Sequence, residues 1–278
     1  CKGFGAQSLD QVSRLQALDT TGKTWATREF GEMAREPESS LASRVLPGPL
    51  YRALRHVFHQ GVAGCMLVGG TALAGYYAGH RRSDDLDLFV CDELAYRAAV
   101  LAVESLVADP PGGELSTRQH TPQLYSAVGG LDGHEFTVQV VLDPGLFAAG
   151  KSVQASDGVT VASLETLLKQ KAATLVSRCA EKDLYDIQWL LGEFPHTTPS
   201  NLVDLGSQID GGVTAETILI SLSSADLRKE ACGFSSQQDA STVFQQVSKL
   251  RDTLAREFEK LARKRAESPI SELVRKLR

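Results

Sequence analysis

The chain has 278 residues, of which 42% are apolar and 23% charged, and a formal net charge of −5. This is the composition of an ordinary globular protein that can bury a sizeable core without a disulfide or metal staple. The negative charge argues against a generally cationic nucleic-acid binder. No apolar run approaches the ~20 residues that span a bilayer, and no signal peptide is visible. We therefore expect a cytoplasmic protein that does not bind membranes.

The apolar periodicity and the turn residues predict a mixed first half and a helical second half. In chain order they indicate a helix over 50–58, strands over 65–68 and 86–90 separated by a helix over 71–77, a helix over 92–108, and strands over 115–120, 124–128, 136–142 and 159–161. From Ser163 onward we expect helices almost to the end, the last one over 237–265. The predicted domains are an N-terminal extension over 1–50, an α+β domain over 51–160 and a helical domain over 161–278.

The segment between the first two strands carries the first motif. Gly69 and Gly70 end a buried strand, and a helix is expected from Thr71. Glycines let backbone N–H groups approach an anion closely, and a helix start adds a positive dipole end. The Thr71 hydroxyl can donate one more hydrogen bond. Each feature alone marks an ordinary tight turn, but together they indicate a triphosphate-binding bend.

Two aspartates open the next strand. Asp85 and Asp87 are two residues apart, so both side chains leave one face of the strand. Two convergent carboxylates form a hard oxygen site suited to Mg²⁺. An Asp-x-Asp pair alone is usually a surface strand; its position just after the glycine bend favours a metal site that supports phosphoryl chemistry.

A second group of charged residues follows in the helical half. Lys171, Arg178, Asp183 and Asp186 recur at helical spacing, with Arg178 expected on the same helix face as Lys171. Lysine and arginine can neutralise phosphate charge. On the residues alone, such charges are more often a solvated helix surface.

Both motifs resemble those of the AbiEii/AbiGii toxin branch of the polymerase-β-type nucleotidyltransferases. The first match is the Gly-Gly-Thr turn followed by Arg81, Ser83, Asp85 and Asp87. The second is a Lys, an Arg seven residues on, and an Arg-Asp-x-Tyr-Asp box, in which Lys182 takes the place of the arginine. The resemblance covers residues from about 60 to 195.

The resemblance implies an α+β fold, with a small mixed β-sheet nucleotidyltransferase core flanked by helices and followed by a helical C-terminal domain. It implies a nucleoside triphosphate substrate, Mg²⁺ with Mn²⁺ as the alternative ion, a cognate antitoxin and tRNA as a candidate acceptor. The site residues it implies are, as catalytic residues, Asp85 and Asp87 (also the metal ligands), Lys171 and Asp186, and as nucleotide-binding residues Gly69, Gly70, Thr71, Ser83, Arg178, Lys182 and Asp183.

The position of a third metal-binding carboxylate stays open. The wider fold supplies one from a neighbouring strand, and here Gln139 stands where we expect it. Glu135, Asp143 or Asp186 are the substitutes, although Asp143 before Pro144 is more typical of a turn. Both one-metal and two-metal schemes therefore remain.

Two other functions are compatible with these motifs. The fold could bind nucleotide or RNA without transferring anything, or it could transfer to a small molecule or a protein side chain. The basic segment 251–278, with nine Lys or Arg and five Asp or Glu, could contact RNA phosphates or form a solvated helix face.

Overall fold

The computed structural model describes residues 35–108 and 112–266. The chain divides into two compact units. The first, which we call the core unit, comprises residues 35–170 together with a short return of the chain at Phe234–Gln238. The second, the helical unit, comprises residues 171–233 and 239–266. The core unit thus extends to Gln170 and includes residues 35–50, while the domain bounds near residues 50 and 160 stay a prediction.

The core unit is built on one mixed seven-stranded sheet. Its strands are β1 (Cys65–Leu67), β2 (Asp85–Val90), β3 (Glu114–His120), β4 (Leu124–Leu131), β5 (His134–Leu142), β6 (Ser152–Gln154) and β7 (Thr160–Ala162). The strand order is β3-β4-β5-β2-β1-β7-β6. Strand β2 runs parallel to β5 and antiparallel to β1, and β1 runs parallel to β7. The sheet is therefore mixed, as expected.

The helices of the core unit come before, between and after these strands. They are α1 (Ser39–Val45), α2 (Gly48–His59), α3 (Gly69–Leu73), α4 (Glu93–Glu104), α5 (Pro144–Ala149) and α6 (Leu164–Thr174), the last of which crosses into the helical unit. Asp92 caps α4 by accepting a hydrogen bond from the Ala95 N–H at 2.8 Å, as the sequence indicates.

Strand β2 has one buried face and one half-buried face. Leu86, Leu88 and Val90 have no exposed surface, while the alternate residues Asp85 and Asp87 are half-buried. Because side chains alternate across a strand, the apolar set faces the core and the carboxylates share the opposite face. This alternation is the one the sequence predicts, except that Asp85 is the first residue of the strand instead of preceding it.

The helical unit consists of α7 (Glu181–Glu193), α8 (Pro199–Ser207), α9 (Ala215–Ser224) and α10 (Ala240–Ala266). Helices α8 and α9 both begin with capping boxes, at Thr198 and Thr214. Apolar residues spaced three or four apart along α10 are buried: Val243, Val247, Leu250, Leu254 and Phe258. The expected α+β core followed by a helical domain is therefore confirmed.

Two local expectations are corrected. The helix expected over 71–77 begins two residues earlier, at Gly69, and changes at Ala74 into a π-helical turn that ends at Ala78. The turn expected at Asp143 is the start of α5, which Asp143 caps through the Leu146 N–H. None of the helices within the described ranges is long and apolar enough to cross a membrane.

Candidate active site

Six of the predicted site residues lie together in the core unit; we call them the carboxylate cluster. They are Gly69, Gly70, Thr71, Ser83, Asp85 and Asp87. They come from the bend between β1 and α3 and from the start of β2. Strand pairing fixes the two segments side by side, because Leu67 is the partner of Leu88 and the Val68 N–H donates to the Asp87 carbonyl at 2.9 Å.

The Asp87 carboxylate lies directly against the glycine bend. Gly69 has a positive φ of 67°, and a Cβ added there would overlap the Asp87 carboxylate. Only glycine accommodates both the backbone conformation and this close approach. The geometry therefore brings a half-buried carboxylate to the backbone of a glycine bend. The positions of the glycine turn and of the aspartate pair in the sequence predict this approach.

Polar groups from two elements hold Asp85, one through its carboxylate and the other through its backbone carbonyl. The Thr137 hydroxyl of β5 donates to Asp85 Oδ1, and Asp85 and Thr137 are partners in the parallel pairing. The Thr71 hydroxyl donates to the Asp85 carbonyl oxygen and lies 2.9 Å from the Ser83 hydroxyl. Thr71 is fully buried and Ser83 nearly so, hence both residues fix the start of β2. Their contact with nucleotide stays a prediction.

The bend itself is tied to a residue that the sequence gives no reason to suspect. The Gly69 N–H donates to the Gln170 side-chain oxygen at 3.1 Å. Gln170 is 101 residues further along the chain, so no local pattern could reveal the contact. One N–H of the proposed phosphate-binding bend is therefore already bonded within the protein. Thr137 is the other residue missed, although alternation along β5 puts it on the face of the carboxylates.

Strand β5 also locates the candidates for a third acid. Gln139 is the partner of Asp87, and it is exposed. Asp143 caps α5 and lies four residues beyond Gln139, about 13 Å along the strand, so it is too far to join the pair. Glu135 is exposed on the same face, two residues before Thr137. A neutral amide thus stands beside Asp87.

The remaining predicted residues lie in the helical unit, where four of them form the lysine cluster. The Lys171 Nζ lies 2.9 Å from Asp183 Oδ1 and 2.7 Å from Asp186 Oδ2, and the Arg178 Nε lies 3.1 Å from Asp183 Oδ2. Lys171 and both aspartates are buried, whereas the Arg178 side chain is 68% exposed. Two cations and two anions therefore form one connected network. Lys182 is exposed, and these ion pairs are formed without it.

The contacts that form the lysine cluster differ from those expected. Helix α6 ends at Thr174, and the next residues form a turn, so Lys171 and Arg178 do not share a helix face. They meet instead through Asp183, which binds one with each carboxylate oxygen. Asp183 and Asp186, three apart on α7, do share a face as predicted.

A thiol beside the lysine cluster is favoured in its protonated form. Burial, reinforced by the Asp183 carboxylate, raises the pKa of Cys179 to about 12. Burial likewise raises the pKa of Cys65 to about 12. Since the thiolate is the reactive form, both groups stay protonated near neutrality. The described cysteines, Cys65, Cys91, Cys179 and Cys232, are unbridged.

Paired carboxylates thus open a strand of a mixed sheet beside a glycine bend and a short helix. The chain belongs to the AbiEii nucleotidyltransferase toxin family, of type IV toxin–antitoxin systems, whose family model matches residues 52–264. It is therefore an enzyme, and the resemblance in its motifs extends through the helical half.

Solved structures with a similar fold are distant in sequence. JHP933 from Helicobacter pylori is 18% identical with a TM-score of 0.45, and the match covers 82% of this chain and 97% of that one. The nucleotidyltransferase toxin MenT4 (Rv2826c) from Mycobacterium tuberculosis H37Rv is 17% identical with a TM-score of 0.45, covering 78% and 89%. No protein of curated function gives a significant match.

Proposed function

We propose that this toxin-family enzyme transfers a nucleotidyl group from a nucleoside triphosphate, using a divalent ion bound by Asp85 and Asp87. The observation that carries the proposal is the contact between the Asp87 carboxylate and the Gly69 bend. It puts a metal-binding oxygen next to backbone that a triphosphate can approach. Mg²⁺ is the proposed ion, with Mn²⁺ as a substitute.

The ligand set fits an ion that arrives with its nucleotide. Within the described residues, no group of three or more His, Cys, Asp or Glu could hold a metal. Two carboxylates are what Mg²⁺ uses when substrate phosphates and water complete its six positions. When bound, the ion would neutralise the triphosphate and favour departure of pyrophosphate. The neutral Gln139 beside Asp87 favours the one-metal scheme over the two-metal scheme.

The reaction exchanges one phosphorus–oxygen bond for another. An acceptor hydroxyl attacks the α-phosphorus, the new O–P bond forms, and pyrophosphate leaves with the bridging oxygen. The hydroxyl proton passes to a nearby carboxylate or to water. Asp85, held by Thr137, and Asp87, held against the bend, would hold the divalent ion to which the phosphates bind.

We propose distinct roles for the residues of the lysine cluster. Asp186 is fully buried and bound to Lys171, and a carboxylate paired with a cation is a weak base. Asp186 and Asp183 therefore orient Lys171 instead of removing a proton. Arg178 is mostly exposed, so it is the better candidate for neutralising phosphate charge. Lys182, also exposed, is a second candidate.

The acceptor we propose is RNA, with tRNA as the first candidate. What supports it is the exposed basic end of α10, Arg263-Lys264-Arg265. The family also implies a cognate antitoxin, which we propose as the protein partner. Residues 267–278, which hold the rest of the basic tail, lie outside the described residues.

Mass spectrometry of RNA after incubation with each triphosphate tests this proposal. The protein is incubated with total RNA, Mg²⁺ and one triphosphate at a time. We expect one nucleotide to be added to the 3′ end of a defined RNA class, and none to be added by Asp85→Ala. Addition by Asp85→Ala at the rate of the unmodified chain would reject the metal site. Labelling of a protein or a small molecule instead of RNA would reject the acceptor.

The alternative function is nucleotide binding without transfer. The observation that favours it is again Gln139, since an amide is a poor ligand where a third carboxylate would stand. Titration calorimetry with each triphosphate, run beside the transfer assay, separates the two functions. Tight binding with no turnover in any combination of nucleotide and acceptor would select this alternative.

A further inference from the structure

The loop that leads into the carboxylate strand is irregular and is held from outside. After Gly79, which has a φ of 61°, residues 80–84 are neither helix nor strand. Asp85 follows directly. Because this loop has no hydrogen-bond ladder of its own, its conformation and the direction of the first carboxylate depend on what packs against it.

One side of the loop is held by the returning segment Phe234–Gln238, which we call the strap. The Arg82 N–H donates to the Phe234 carbonyl at 2.9 Å, and the Ser236 hydroxyl donates to the Gly79 carbonyl at 3.0 Å. Arg81 and Ser235 form an isolated antiparallel bridge between these two bonds. The strap thus acts as a short extra strand on the loop, although Gly79 and Ser236 are 157 residues apart in sequence.

The other side of the loop is held by the buried Arg81 side chain. Arg81 is only 3% exposed, and a Cβ added at Gly70 would overlap its guanidinium group. The guanidinium donates to the Arg82 carbonyl at 2.9 Å. At the neighbouring Gly69, a Cβ would overlap Asp87 instead. Two adjacent glycines are therefore covered by one buried cation and one carboxylate.

We propose that Arg81 and the strap are positioning elements for the metal-binding carboxylates. Arg81 fixes the bend at Gly70, and the strap fixes Arg81 and the loop, so that Asp85 and Asp87 meet the bend in one arrangement. This inference rests on the proposed function, since it assigns these residues a role toward the ion held by Asp85 and Asp87. Both would act through Asp85 and Asp87, as positioning groups.

Binding of Mn²⁺, followed by electron paramagnetic resonance with a non-hydrolysable triphosphate, tests the proposal on the full chain. Arg81→Gln should weaken Mn²⁺ binding about 10- to 100-fold, the range for removing a group that orients a metal ligand. Arg81→Lys should restore part of the loss, because lysine keeps the charge without the planar fork. Ser236→Ala should weaken binding in the same direction by a smaller factor, with the melting temperature nearly unchanged.

Matched variants separate positioning from general damage. Arg97→Gln removes an exposed arginine from α4, and Ser207→Ala removes a hydroxyl that donates to a backbone carbonyl at 3.0 Å in the helical unit. Both should bind Mn²⁺ as the unmodified chain does. Unchanged Mn²⁺ binding in folded Arg81→Gln and in Ser236→Ala would overturn the proposal.

Two further outcomes are decisive. If Arg81→Gln does not fold, Ser236→Ala decides alone: weaker Mn²⁺ binding supports the proposal, and unchanged binding overturns it. If the unmodified chain binds no Mn²⁺ with triphosphate, or Asp87→Ala binds it equally well, the proposed function itself fails. The failure of the metal site is thereby distinguished from the failure of the positioning role.

Discussion

At the scale of single residues, Gly69 is the position on which the site geometry depends most. Its φ of 67° already disfavours any other residue, and the Asp87 carboxylate occupies the space of its Cβ. A substitution here therefore has two separable costs, one in the backbone and one in the placement of Asp87.

Gly69→Ala should lower both stability and transfer. The left-handed backbone costs about 1–2 kcal/mol, and displacement of Asp87 by an ångström costs about 100-fold in rate. Gly61→Ala is the matched control, because Gly61 has a φ of 73° and nothing within 4 Å of its Cβ position. Urea unfolding should show a stability loss in both variants, larger at Gly69 because Asp87 must also shift, and a transfer assay should show an activity loss only at Gly69. Equal activity in the two variants would contradict the close approach.

Gln139 is the residue that decides how much negative charge the site carries. Gln139→Glu would put a third carboxylate beside Asp87, its partner across the parallel pairing. In chelator we expect the variant to be less stable than the unmodified chain, because like charges repel. Added Mg²⁺ should restore its stability, because more carboxylates bind the ion more tightly.

Unfolding with and without Mg²⁺ measures this effect. Ser126→Glu is the control, since Ser126 pairs with Gln139 from the next strand outward and its carboxylate would lie about 4.8 Å further from Asp87. Added Mg²⁺ should raise the stability of Ser126→Glu by less than that of Gln139→Glu. If Gln139→Glu shows the Mg²⁺ response of the unmodified chain, Gln139 does not face the ion.

At the scale of elements, a partly buried hydrogen-bond cluster secures the helical turn that follows the bend. Tyr51 of α2 and Tyr76 of the π-helical turn both donate to Asp157 Oδ2, at 2.7 and 2.9 Å. Burial, and then the hydrogen bond to Asp157, raises the pKa of Tyr51 to about 12. Burial also raises the pKa of Tyr76. Folding therefore favours the neutral form of both tyrosines over the ionised form.

This cluster predicts a loss of stability in alkali. The folded-state pKa of Tyr51 lies above its unfolded value. The stability that Tyr51 contributes is therefore complete below pH 10 and is lost as the pH rises through about 12. Tyr51→Phe should cost about 1 kcal/mol at neutral pH and should flatten the decline above pH 10. Chemical unfolding across this range makes the comparison. Parallel curves for Tyr51→Phe and the unmodified chain would contradict the raised pKa.

The elements that the sequence predicts well are those whose pattern is local. Alternation along β2 and the three-or-four spacing along α10 follow from which side must be buried, and both agree with the structure. The π-helical turn and the end of α6 at Thr174 were not predicted, because the residues there continue a helical pattern. The bond from Gly69 to Gln170 and the strap join distant segments, and no periodicity encodes such contacts.

At the scale of the whole molecule, the predicted site residues divide between two compact units. The glycines, hydroxyls and paired aspartates belong to the core unit, and the lysine cluster belongs to the helical unit. The motifs were found from spacing and family resemblance, which do not reveal burial. Lys171 is buried against Asp183 and Asp186, so its loss would disturb a buried charge network and is a poor test of catalysis.

Lys171→Ala and Arg178→Ala should therefore behave differently. The first removes a buried cation that pairs with both Asp183 and Asp186, which costs about 3–5 kcal/mol. The second removes a largely exposed partner of Asp183, which costs at most about 1 kcal/mol. If Arg178 binds phosphate, its loss should raise the KM for triphosphate in a stable protein. Urea unfolding and steady-state kinetics measure both effects, and an unchanged KM would remove Arg178 from the nucleotide site.

The central claim is that Asp85 and Asp87 together support metal-dependent transfer beside the glycine bend. Its most direct test is Mg²⁺-dependent incorporation of α-labelled triphosphate into RNA by Asp85→Ala, Asp87→Ala and Asp84→Ala. Asp84 is the control because it is an exposed neighbour, paired with His134 at 3.2 Å. We predict that the first two variants fold and lose about 100- to 1,000-fold in rate, whereas Asp84→Ala transfers normally and chelator stops all transfer. Equal rates in all three variants, or transfer that survives chelation, would contradict the claim.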